Sequence, residues 1–115
     1  YSTLPFAEIY QLGAGLDYLQ RVGVDRIETH TVALAQALSA GLASQGYRLF
    51  TPDGNRSSIV TYYTSRDAAT LNAAFARASI DVSVRGTLGQ VRVSPALFNT
   101  RDDIARFLEV TRQLV

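Results

Sequence analysis

An α+β fold, with a mainly antiparallel sheet of about four strands covered by helices, follows from three observations on these 115 residues. Apolar residues recur at helical spacing in several stretches, and β-branched or aromatic runs lie between them. Those runs are linked by turn chemistry, not by long crossovers, which favours antiparallel pairing. The element order reads ααββαββα. No internal repeat or proline-rich linker divides the chain, so 1–115 reads as one domain, long enough to bury a core without disulfides.

A first helix is expected over 6–21, with residues 1–22 taken as a connecting helix, because Phe6, Ile9, Tyr10, Leu16 and Leu19 recur near a three-to-four spacing. Gly13 and Gly15 inside it lower helix propensity, and predict that another backbone packs close there. Gly23 breaks the pattern. A second helix runs from about Asp25, with Ile27, Leu34, Leu38 and Leu42 on one stripe and Gly46 as its C-terminal cap.

The period then changes. Tyr47-Arg48-Leu49-Phe50 reads as a short strand, Pro52-Asp53-Gly54-Asn55 as a turn, and Ser57–Thr64 as a β-branched and aromatic strand. Ser65 is the expected N-cap of a third helix over 67–78, whose apolar face carries Leu71, Ala74, Phe75 and Ala78. Two more strands, Asp81–Arg85 and Gln90–Ser94, flank Gly86-Thr87-Leu88-Gly89, a hairpin turn. Thr100 with Asp103 forms an aspartate version of the capping box, opening a last helix with Ile104, Phe107, Leu108, Thr111 and Leu114 on one face.

Composition excludes much chemistry. All eleven basic residues are arginine, so this chain has no lysine for a P-loop, an SxxK nucleophile system or a Schiff base. Without cysteine there is no thiol nucleophile or thiolate metal site, and the single histidine, His30, argues against zinc. A net charge of +1, with arginines dispersed among ten acids, gives no basic face for nucleic acid. No apolar run is long enough to span a membrane. The first residues show no signal-peptide pattern and no methionine, as expected of a piece of a longer chain.

Arg92 is the leading candidate for function. In Gln90-Val91-Arg92-Val93-Ser94 the valines alternate onto one face, so Arg92 points away from the core. Its planar guanidinium suits bidentate capture of a carboxylate, although a solvated arginine on an open sheet face satisfies the same pattern. Arg85 carries the same two readings. His30 reads as a surface or boundary helix residue, Tyr62 and Tyr63 as packing residues, and Asp102 and Asp103 as favourable charges at a helix N-terminus.

Several of these stretches, in order over essentially the whole chain, resemble the C-terminal small domain of class V aminotransferase-like enzymes. This is the fold type I, pyridoxal-phosphate-dependent group that includes cysteine desulfurases, kynureninase and isopenicillin N epimerase-like proteins. Val91-Arg92-Val93-Ser94-Pro95-Ala96-Leu97-Phe98-Asn99-Thr100-Arg101-Asp102-Asp103-Ile104 is similar to the family's closing motif, and Asp81–Gly86 to the strand before it. Ser2-Thr3-Leu4-Pro5 and Leu12–Leu16 are similar to the segment after the lysine-bearing region.

The resemblance implies that Arg92 binds the α-carboxylate of an amino-acid substrate. It implies that Thr3 reaches the cofactor phosphate of a neighbouring subunit in a homodimer, although Ser2 stands where the family has glycine. Asn99 matches a position read as loop structure. The resemblance further implies pyridoxal 5'-phosphate in a full-length, cytoplasmic enzyme whose large domain, outside this chain, supplies the lysine. The chain alone would be silent. In cysteine desulfurases the loop between the last two strands carries the nucleophilic cysteine. Here it is only Gly86–Gly89 and cysteine is absent, which disfavours desulfuration. The rival expectation is a free-standing α+β module that binds a small acid or dimerises through its open sheet face.

Overall fold

The computed structural model describes residues 4–115. It contains helices α1 (Phe6–Val22) and α2 (Val24–Ser44), strand β1 (Val60–Tyr63), helix α3 (Ala68–Arg77), strands β2 (Ser83–Arg85) and β3 (Gln90–Val93), and helix α4 (Arg101–Arg112). A single turn of 3₁₀ helix, Gly86–Leu88, joins β2 to β3. The sheet is antiparallel with strand order β1-β3-β2, so β3 is central.

Its inward face carries Val60, Tyr62, Val91 and Val93, all buried against α2, α3 and α4. Leu34, Leu38 and Leu42 come from α2, Leu71 and Phe75 from α3, and Ile104 and Phe107 from α4. Each of these large side chains contributes roughly 1.5–3 kcal/mol by leaving water. Phe75 and Phe107 stack with ring centroids 5.4 Å apart, which joins α3 to α4 at the centre of this cluster.

Helix ends follow local chemistry. Gly46 takes φ 89° beyond α2, and the N–H groups of Gly46 and Tyr47 donate to the carbonyls of Ala43 and Leu42. This is a Schellman closure, in which the left-handed position favours glycine. Behind it, Gln45 Nε2 donates to the Leu108 carbonyl at 2.7 Å, and the hydroxyls of Tyr47 and Thr111 donate to the Thr111 carbonyl and Gln45 Oε1. These bonds fasten α2 to α4. At the start of α4 the Thr100–Asp103 capping box forms in both directions.

Four expectations need correction. The sheet has three strands rather than about four, because Tyr47–Phe50 makes only a single bridge, Leu49 to Tyr62. The ladder begins there, with the Phe50 N–H donating to the Thr61 carbonyl, but the Thr61 N–H donates to Thr51 Oγ1 at 2.8 Å instead of continuing it. Pro52 follows with no N–H to offer. The strand expected over Ser57–Thr64 begins only at Val60, because the Ile59 N–H donates to Ser57 Oγ and holds those residues in a local turn.

Asp67, not Ser65, caps α3: its carboxylate accepts from the Thr70 N–H at 2.9 Å and from the Thr70 hydroxyl at 2.6 Å. Finally, no backbone among the described residues approaches Gly13 or Gly15, since a Cβ at either would meet nothing within 4 Å. Helix α1 has no buried residue at all. It lengthens the molecule to a radius of gyration of 17.1 Å. A compact chain of this length has roughly 13 Å.

Candidate functional site

The outward face of the sheet is set by register. Across β1, β3 and β2, Thr61, Arg92 and Ser83 form one row, and Tyr63, Gln90 and Arg85 form the next. The Leu49–Tyr62 bridge turns Leu49 inward and aligns Arg48 and Phe50 with these outward rows. Arg92 therefore stands at the middle of the sheet, exposed between the buried Val91 and Val93. This is the orientation that the valine alternation predicts.

The surroundings of Arg92 are polar and open. It borders a depression with Asp81, Val82, Ser83 and Ser94. Among the described residues its guanidinium has no hydrogen bond or ion pair, the one recorded pair being Arg56 with Glu28. Thr61 and Gln90 beside it are 7% and 8% exposed, so Arg92 rises from a packed floor. Arg48 lies 3.6 Å above the centroid of Tyr63, whose ring also meets Phe50 edge-on. The sequence reading did not single out Arg48. Its signal was the inward Leu49, which forces both neighbours outward.

Chemically, this face can grip an anion. It presents guanidinium, amide and hydroxyl donors, with Asp81 the one carboxylate lining the depression.

The other sequence candidates lie elsewhere. His30 is an exposed residue of α2, and its Nε2 lies 2.8 Å from the Asn99 carbonyl oxygen. A carbonyl only accepts, so this contact needs the proton on Nε2. Asn99 in turn accepts the Ala96 N–H on its Oδ1 at 2.9 Å and holds the loop between β3 and α4. Together the two tie that loop to α2, a contact across 69 positions that no local pattern announces. Tyr62 is buried in the core, and burial first, then the neighbouring Tyr47, pushes its hydroxyl well above the ordinary tyrosine range. Thr3 and Ser2 lie outside the described residues.

A family model described as aminotransferase class-V matches residues 1–107. A probable cysteine desulfurase of Pseudomonas putida is 28% identical over 96% of this chain, which covers 30% of that protein. A probable cysteine desulfurase of Xylella fastidiosa is 30% identical over 84% of this chain and 26% of its own length. The chain thus spans less than a third of the curated relatives it matches.

Among solved structures, a cysteine desulfurase from Escherichia coli superposes with a TM-score of 0.85 over 98% of this chain and 31% of its own, at 19% identity. One from Thermococcus onnurineus gives 0.81 over 90% of this chain and 30% of its own, at 23% identity. At such identities the likeness is one of fold. The family match, in contrast, runs from the first residue to the middle of α4, taking in every strand and the loop held by Asn99. On that match the chain belongs to the class V aminotransferases, a pyridoxal-phosphate-dependent family.

Proposed function

We propose that this chain is the C-terminal small domain of a class V aminotransferase-like enzyme acting on an amino acid, and that Arg92 holds the substrate's α-carboxylate. The observation that carries the reading is Arg92 itself, exposed on the central strand with no partner among the described residues. A fork of parallel N–H donors fixes a carboxylate in orientation as well as position. Orientation is what a cofactor enzyme needs, because the bond that breaks is selected by how the substrate stands against the cofactor.

The cofactor does not fit this chain by itself. Its covalent anchor is a lysine amine, and none of the 115 residues is lysine. That amine belongs to the large domain, outside this chain, and the proposed full-length enzyme is a homodimer. The large domain is also the proposed cover for α1, whose leucines and aromatics are exposed here. Desulfuration through a cysteine between the last two strands is disfavoured, since the connection is one 3₁₀ turn and the chain has no cysteine.

Two observations test the reading. The purified chain, mixed with pyridoxal phosphate and amino acids, should develop no visible cofactor absorbance beyond that of the free compound and turn nothing over. The reading frame should encode about three times this length, the ratio implied by relatives of which the chain covers 30%. A frame of this length alone, with an amino acid bound unaided, would establish the free-standing module instead.

A further inference from the structure

We infer that the amino acid taken by this site carries a second anionic group on its side chain, held by Arg85 while Arg92 holds the α-carboxylate. This rests on the reading of Arg92 above. Arg85 pairs with Gln90, two residues from Arg92 along β3, so the two arginines are diagonal neighbours on the outward face. Diagonal Cβ atoms lie within about 7–8 Å, well inside the joint reach of two arginine side chains.

Neither guanidinium has a partner among the described residues. Four other arginines are engaged: Arg21 and Arg77 donate to carbonyls of their own helices, Arg66 to those of Leu114 and Val115, and Arg56 pairs with Glu28. Arg48 rests on Tyr63. The remaining arginines without a partner among the described residues, Arg26, Arg101, Arg106 and Arg112, all lie on helices. Among the described residues, only Arg85 and Arg92 form an unpaired couple on the sheet.

Two like charges at diagonal positions of one face favour a ligand that brings compensating anions. One carboxylate balances the charge of one guanidinium, so the second fits a second anionic group. Ser83, opposite Arg92, and Gln90, opposite Arg85, add neutral donors to the same patch. The depression beside Arg92 contains a single acid, Asp81, which cannot balance both guanidiniums. The ligand class is therefore an acidic α-amino acid.

The test uses the full-length enzyme with its cofactor, and the variants Arg85→Gln, Arg85→Lys and Arg92→Gln. KM and kcat are measured for aspartate against asparagine and glutamate against glutamine. Calorimetric titration with glutarate against butyrate reads binding without chemistry, and decides the matter where none of the four amino acids is turned over.

Arg85→Gln should raise KM for the acidic member of each pair about tenfold to a hundredfold, with the amide member and kcat held within about twofold. Glutarate binding should weaken by the same factor while butyrate does not change, and Arg85→Lys should recover part of the loss. Arg92→Gln should raise KM for all four amino acids. Equal effects of Arg85→Gln on acid and amide, or no effect on either, with Arg92→Gln still damaging, would overturn this inference and leave the role of Arg92 standing. An inert Arg92→Gln would overturn both.

Discussion

Tyr62 and Arg92 occupy adjacent rungs of β1 and β3 yet face opposite surroundings. The Tyr62 side chain is buried, and its hydroxyl is the one buried side-chain polar atom without a partner among the described residues. An orphaned hydroxyl costs its desolvation, so Tyr62→Phe should leave stability unchanged or raise it by about 1 kcal/mol. A lowered midpoint in urea would mean that the hydroxyl has a partner after all.

The capping aspartates make a second prediction. Hydrogen bonds from the Thr70 side chain, then its N–H, hold Asp67 below the ordinary carboxylate value of 3.8. Asp103 is lowered first by the Thr100 N–H, then by the side chains of Asn99 and Thr100. A depressed folded-state pKa contributes stability that is present above the unfolded value and lost as pH falls through the folded one. Unfolding midpoints should therefore hold above about pH 5 and fall below about pH 4, with Asp67→Asn and Asp103→Asn flattening that acid limb. An acid limb unchanged in the double variant would count against these caps. Asp103 was legible from its spacing to Thr100. Asp67 was overlooked because Ser65 is an equally good capping residue, and only the path of the chain after β1 chooses between them.

At the scale of elements, legibility follows how local the cause is. Helices α2 and α4 can be read from their apolar stripes, and each stripe is buried as expected at Leu34, Leu38, Leu42, Ile104 and Phe107. The Tyr47–Phe50 segment has strand-like residues but loses its ladder to the Thr51 hydroxyl, a contact made across ten positions. The pattern for α1 predicts a helix correctly, and the two glycines predict a close neighbour that this chain does not supply.

On the proposed function that neighbour is the large domain, and the two settings give opposite results for one substitution. In this chain alone, Gly13→Ala and Gly15→Ala should each stabilise α1 by about 1 kcal/mol through helix propensity, seen as added helicity by circular dichroism. In the full-length protein the same changes should destabilise, because the space open here would be filled. Stabilisation in both settings would show that nothing packs against these glycines.

For the molecule as a whole, the sheet divides the work between its two faces. The inward face joins three helices in a core, and the outward face presents Arg92 and Arg85. On the proposed function, this chain, which spans less than a third of its relatives' length and has an unburied apolar helix and no lysine, forms one wall of a site. The class V fold was legible because its closing motif lies in one unbroken stretch, Val91–Ile104. The proposed substrate class is not legible there, because Arg85 and Arg92 are brought together only by the pairing of β2 with β3.

The most direct test is Arg92→Ala in the full-length enzyme, read in two channels at once. The visible absorbance of the bound cofactor should match the wild type, while KM for the amino-acid substrate rises at least about tenfold, as expected for losing a charge-assisted fork. Unchanged KM with unchanged absorbance would contradict the claim that Arg92 holds the substrate carboxylate.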